Sequence, residues 1–298
     1  MMHSTPIRRV GIVAKRKLDA ASVLSELRRW LEARGLEAIF EIDTAAIAGL
    51  PDGHPKASRD ELPSECDLLV VLGGDGTFIG MADRIARAGV DVAILGVNFG
   101  SLGFLTEITL PELYPSLESV LAGTATIEPR MMLASRTLRA GRPFAEHLVL
   151  NDIVITKGAL SRIVEMSVTV DHQAVTRVRA DGLIVASPTG STAYNLAAGG
   201  PIVHPALDAI LLTPIAPHTL TNRPVLIPAS SEVDVRPIMD GGNDEVYVTF
   251  DGQAGFQLES HDAVTIRRAA RPLRLIKSPT RSYFELLREK LKWGGDNR

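Results

Sequence analysis

Gly73-Gly74-Asp75-Gly76-Thr77 follows five apolar residues, Leu68 to Leu72, without a break. Three glycines in four positions around one carboxylate are more than a corner needs. They suit a loop whose backbone N–H groups come close to a ligand, and phosphate is the usual guest of such a loop. The loop is not a Walker A sequence, which requires Gly-Lys-Ser/Thr, because the chain contains no Gly-Lys pair. It fits G-x-G-x-x-G poorly: Gly80 falls one residue late, and the acidic residue expected after the next strand is missing, since Asp91 precedes "VAILG". A ligand-free turn from strand to helix, with Thr77 as N-cap, also accounts for the loop taken alone.

Further polar and glycine-bearing clusters lie downstream. "ADGLIVASPTGSTAYNLAAGG" reads strand, turn, helix, with Thr189-Gly190-Ser191-Thr192 at the helix start. Hydroxyls and exposed N–H groups there would form a seat for an anion or a polar ligand. Asn151-Asp152 and Asp181-Gly182 place an amide and carboxylates at strand entrances, where loops carry function. Any one of these could be capping chemistry; four clusters together favour a ligand.

The elements that must position these residues fall into two regimes. Residues 1–127 alternate strands and helices, the pattern of a Rossmann-like parallel sheet with crossover helices. "RRVGIVA", "AIFEI", "CDLLVVL" and "VAILGVN" read as its strands. A helix carrying Leu24, Leu27 and Leu31 on one stripe ends at Gly35, and another is expected over Thr77–Ala88. Residues 51–65 are polar and turn-rich and read as an exposed excursion. Thr109-Leu110-Pro111-Glu112 has capping-box spacing and opens a helix ending near Gly123. Residues 128–280 instead show short period-two runs, the signature of a β-rich, sandwich-like domain, interrupted by a helix near Ser191–Ala198. A final helix over 281–298 opens with another capping box at Ser282. It carries Phe284, Leu287 and Leu291 on one face, expected to pack back onto the first domain.

Composition excludes several classes. A formal charge of −3 leaves no basic excess for a nucleic-acid backbone, so no nucleic-acid partner is expected. Cys66 is the only cysteine, which excludes an internal disulfide and favours a reducing compartment. No apolar run approaches the ~18 residues of a membrane span and no apolar leader opens the sequence, so a cytoplasmic protein without a membrane partner is expected. The histidines show no HxxxH or HxH spacing, and with one cysteine there is no zinc set.

Over essentially its whole length the chain resembles the bacterial NAD kinases. The resemblance rests on Gly73–Thr77, Asn151-Asp152 and the stretch from Asp181 to Tyr194; the glycine loop alone is shared with diacylglycerol kinases and phosphofructokinases. Ala180, where many members have Gly, and Ala186-Ser187, in place of a common Ser-Thr, depart from the pattern by small residues only. The resemblance implies an α/β domain followed by a β-rich one, phosphorylation of the adenosine-ribose 2′-hydroxyl of NAD by ATP with Mg²⁺, and a homodimer or homotetramer. It implies Asp75 as the base that takes the hydroxyl proton, and Gly73, Gly74, Gly76 and Thr77 at the nucleotide phosphates. Asn151 and Asp152 would hold a hydroxyl-bearing part of NAD, and Thr192, Ala193 and Tyr194 would line the adenosine pocket. Thr189, Gly190, Ser191, Asn195 and Ala197 belong to the same stretch, and Arg162, Arg179, Asp181 and Gln253 match dinucleotide-contacting positions. A lipid or sugar kinase with the same loop, a non-catalytic dinucleotide-binding regulator and an NADP-dependent oxidoreductase are the rival functions.

Overall fold

A computed structural model describes residues 6–100, 102–158, 163–219, 221–239 and 245–293. The chain forms two compact units, residues 1–129 with 273–298, and residues 130–272.

The first unit alternates as its sequence pattern requires. Its elements are β1 (Arg9–Ala14), α1 (Ala21–Glu32), β2 (Glu37–Glu41), α2 (Ile42–Ile47), β3 (Lys56–Ala57), α3 (Leu62–Glu65), β4 (Leu68–Gly73), α4 (Asp75–Ala88), β5 (Ala93–Asn98), β6 (Ile108–Thr109), α5 (Leu113–Leu121) and β7 (Ile127–Arg130). The sheet runs β3-β2-β1-β4-β5, with β6 also beside β5. Every one of these pairings is parallel. β4 and β5 are buried along their whole length, as the continuous apolar runs of a sheet covered on both faces demand. Leu24, Leu27 and Leu31 of α1 are buried, and α4 ends on Gly89 in the left-handed conformation. Residues 51–65 are less exposed than their polarity suggests. Leu62 and Pro63 are buried in the short helix α3, because two apolar residues in a polar run suffice to anchor it.

The second unit carries β8 (Leu133–Arg139), β9 (Arg142–Val149), β10 (Asp152–Lys157), β11 (Val164–Val170), β12 (Gln173–Ala180), β13 (Gly182–Ala186), α6 (Tyr194–Ala197), β14 (Ala209–Ile215), β15 (Val225–Pro228), β16 (Val233–Ile238), β17 (Val246–Phe250), β18 (Ala254–Leu258) and β19 (Ala263–Arg268). They form two six-stranded sheets, β15-β14-β13-β10-β17-β18 and β12-β11-β16-β19-β8-β9. Alternate residues such as Val164, Met166 and Val168 of one sheet and Ile153, Ile155 and Val248 of the other share one core, the expected consequence of period-two patterning. In place of one helix over Ser191–Ala198, a 3₁₀ turn at Thr189–Thr192 leads into the four-residue α6. Ala193, in a non-helical conformation, separates the two.

The chain re-enters the first sheet through β20 (Leu273–Ile276), which pairs parallel with β5. It closes with α7 (Tyr283–Leu291), whose capping box at Ser282 and Glu285 is formed as the sequence indicates. Leu286 and Leu287 are buried, whereas Phe284 is 61% exposed. Of the expected face of Phe284, Leu287 and Leu291, Leu287 is buried and Leu291 half-buried, and only Phe284 is turned outward. Leu286 joins Leu287 as the covered residues of the helix, with Tyr283 and Lys290 half-buried beside them. Among the described residues no helix is long and apolar enough to cross a membrane.

Candidate active site

In the first sheet β1 continues to β2 on one side, while β4 lies on the other. The carboxyl ends of β1 and β4 therefore flank the point where strand order reverses, the place where open parallel sheets bind ligands. Gly73 closes β4 there, and a Cβ on it would press against Lys15, the exposed residue after β1. Gly74 and Gly76 face open space: apart from chain neighbours and the helix's own backbone, no described residue lies within 4 Å of a Cβ built on either. The helix begins at Asp75, two residues earlier than the sequence suggests, with Gly74 as N-cap at φ −125°. That is extended backbone, so positive φ does not explain this glycine.

Asp75 does not cap its own helix. Its Oδ2 accepts from the Phe104 N–H at 2.8 Å. Its Oδ1 accepts from the N–H groups of Leu105 at 3.1 Å and Thr106 at 3.0 Å, and from the Thr106 hydroxyl at 2.9 Å. Gly103 is required beside it, since a Cβ there would fall inside the carboxylate. Oδ1 is thus fully engaged, and Oδ2 keeps acceptor capacity for a further hydroxyl. The 29–31 positions separating Phe104–Thr106 from Asp75 hide the contact from any local pattern.

The second unit assembles its own polar corner. The Asp251 carboxylate accepts from three consecutive N–H groups, Leu150 at 2.7 Å, Asn151 at 2.7 Å and Asp152 at 3.0 Å. Asp251 stands at φ 51°, which fits the β17–β18 turn, and its side chain also fixes the Asn151-Asp152 entrance. The Asp152 side chain is almost wholly buried, and burial, then the Asp251 charge, push its carboxyl up to about 7. Gly190 packs on the Asn151 carbonyl, leaving no room for a Cβ, while Ser187 bonds the Leu150 carbonyl and the Gly190 N–H. Asn151, Asp152 and the Thr189–Ser191 turn are therefore one cluster.

Within it, roles divide. Ser191 bonds both the carbonyl and the N–H of Val203. Fully buried Asn195 bonds Ser191, Pro201 and Thr213. Their polar groups are held by the protein. The Thr189 hydroxyl, by contrast, is buried with no hydrogen-bond partner among the described residues. Tyr194 is 47% exposed, so it is not a core aromatic. Thr192 and Ala193 are half-buried and Ala197 is exposed. Asp181 pairs with Lys157 at 3.3 Å, Arg179 stands exposed with Glu165 at 3.9 Å, and Gln253 is exposed in the β17–β18 turn. Arg162 lies outside the described residues.

The fold and the carboxylate-bearing glycine loop define the class: a phosphotransferase with a parallel nucleotide-type sheet and a β sandwich in one chain. Residues 10–125 match the ATP-NAD kinase N-terminal domain and residues 150–278 the ATP-NAD kinase C-terminal domain. The chain is 50% identical over 289 residues to the NAD kinase of Geobacter sulfurreducens, covering 97% of this chain and 99% of that one. To the NAD kinase of Syntrophotalea carbinolica it is 49% identical with the same coverage. The crystal structure of yeast NADH kinase complexed with NADH superposes with a TM-score of 0.86 at 25% identity, over 99% of this chain and 90% of that one. An NAD kinase from Archaeoglobus fulgidus in complex with ATP shares the fold, with a TM-score of 0.73 at 24% identity, over 94% of this chain and 99% of that one. The chain belongs to the ATP-NAD kinase family. It is an enzyme that phosphorylates NAD to NADP; these matches do not favour a lipid or sugar kinase, a regulator or an oxidoreductase.

Proposed function

We propose that the Gly73–Thr77 loop seats the ATP phosphates and that Asp75 faces the hydroxyl that receives the phosphoryl group. The observation that carries this reading is the Asp75 carboxylate, immobilised by four donors beside a loop with open space at Gly74 and Gly76. Phosphoryl transfer depends on positioning and charge neutralisation more than on covalent help. Asp75 Oδ2 orients the 2′-hydroxyl of the adenosine ribose and takes its proton as the new O–P bond forms. The bond from the γ-phosphorus to the bridging oxygen breaks, and ADP leaves with that electron pair. Mg²⁺ enters as part of the MgATP substrate. Among the described residues no group of three or more His, Cys, Asp or Glu could hold a metal, whereas phosphate oxygens with a single carboxylate suit Mg²⁺, which retains several waters.

NAD is held by the second unit. Asn151 and Asp152 take a hydroxyl-bearing part of the dinucleotide, Thr189 supplies its unengaged hydroxyl, and Thr192, Ala193 and Tyr194 border the adenine, with the exposed ring available for stacking. Gly190, Ser191, Asn195 and Ala197 shape that turn, and Arg162, Arg179, Asp181 and Gln253 contact the dinucleotide. The enzyme works in the cytoplasm as a homodimer or homotetramer. Incubation with NAD, ATP and Mg²⁺ should yield NADP and ADP in equal amounts, and a chelator should stop the reaction. Absence of NADP under these conditions would overturn the reading.

A further inference from the structure

The carboxylate next in sequence to the Asp75-binding segment is Glu107, buried to 1% exposure. Its Oε2 accepts from Lys277 Nζ at 2.7 Å, its Oε1 from the Ser278 N–H at 2.6 Å, and its carbonyl from Arg281 Nη1 at 2.9 Å. Lys277 also lies 3.7 Å from Glu128, and Arg281 bonds Glu112 at 2.9 Å. One residue thus ties the segment that donates to Asp75 to chain some 170 positions away. On the other side, Asn98 Nδ2 donates to the Thr106 hydroxyl at 3.2 Å, so Thr106 is gripped from the end of β5 as well. A buried ion pair is a weak source of stability, since an apolar pair of similar volume often serves as well. Fixing the register of a loop is a use that an apolar pair cannot supply.

We infer that Glu107 is a positioning residue for phosphoryl transfer: with Lys277 and Ser278 it locks the Phe104–Thr106 donors that aim the Asp75 carboxylate. The inference rests on the reading of Asp75 given above.

The test compares Glu107→Gln, the double variant Glu107→Gln/Lys277→Met, and Glu107→Gln in an Asp75→Asn background, reading melting temperature, kcat and both KM values. Glu107→Gln should lower kcat about 10- to 100-fold, since small misplacements near the reacting atoms are that damaging, with both KM values nearly unchanged. The double variant removes a buried ammonium left with only the more distant Glu128 at 3.7 Å and should regain melting temperature without regaining kcat. In the Asp75→Asn background the Glu107→Gln loss should nearly vanish, because the two residues act through one group. Recovery of kcat together with melting temperature in the double variant would reduce the pair to a structural role and overturn the inference. A full, additive loss in the Asp75→Asn background would do the same. Wild-type kcat in Glu107→Gln beside an impaired Asp75→Asn sinks this inference alone; wild-type kcat in Asp75→Asn sinks the reading beneath it.

Discussion

At the scale of single residues, two aspartates do related work in different surroundings. Asp75 and Asp251 each accept three consecutive backbone N–H groups and thereby fix a neighbouring segment. Asp251 has a further effect, because its charge adds to burial in raising Asp152 from 3.8 to about 7. An acid raised on folding stabilises the fold fully below its unfolded value, and that contribution is lost as pH rises toward the folded value. Between about pH 4 and pH 7 Asp152 should therefore make the protein progressively less stable. Asp152→Asn should gain melting temperature relative to wild type on going from about pH 4 to pH 8, by roughly 2–4 °C for each kcal/mol relieved. A difference that stays constant over that range would show that Asp152 ionises normally in the fold. The residue types at Asp75 and Asp152 drew attention in the sequence through their glycine and amide neighbours. The hydrogen-bond partners that define them did not, since the Asp251 carboxylate accepts from the Asp152 N–H across 99 positions.

At the scale of elements, the sequence was informative wherever one period dominated. The apolar run of β4 into three glycines, the leucine stripe of α1 and the two capping boxes at Thr109 and Ser282 are formed as written. It misled at single residues, at Phe284, which α7 turns outward, and at Leu62 and Pro63, which α3 buries within a largely exposed run. The loop at Gly74 was legible in type but not in cause. If the loop seats phosphate, Gly74→Val should still abolish turnover, because the added methyls would occupy the open space beside it, not because its φ is strained. Its melting temperature should stay near that of wild type, as nothing beyond the chain neighbours lies within 4 Å of a Cβ there. Normal turnover in this variant would show that the loop does not approach the nucleotide. We propose that α7 is held on the first unit through Leu286 and Leu287. Leu287→Asp should lower the melting temperature by ~5 °C or more, since losing a buried leucine side chain costs about 2–5 kcal/mol and the carboxylate would be desolvated. An unchanged value would mean that the helix contributes nothing to the fold.

At the scale of the whole molecule, the β sandwich is an excursion of residues 130–272 from a sheet that the chain leaves and then rejoins through β20. Rejoining brings Lys277, Ser278 and Arg281 onto Glu107, so the last part of the chain supports the loop its first part supplies. That closure is invisible to local patterning, because β20 is four residues long and reads like any other short strand. If chemistry belongs to Asp75 and NAD recognition to the second unit, Asp75→Asn separates the two. The amide is nearly isosteric and keeps an oxygen acceptor for a ribose hydroxyl, but it can neither take the proton nor supply the negative charge. Loss of a general base typically lowers the rate by ~10²–10⁴-fold, about 3–5 kcal/mol of barrier. Measured on one preparation, by steady-state turnover at saturating NAD and MgATP with NAD affinity from calorimetry, Asp75→Asn should lose kcat by that factor while binding NAD almost as wild type does. Wild-type kcat, or a collapse of NAD affinity with kcat retained, would contradict the assignment of the chemistry to Asp75.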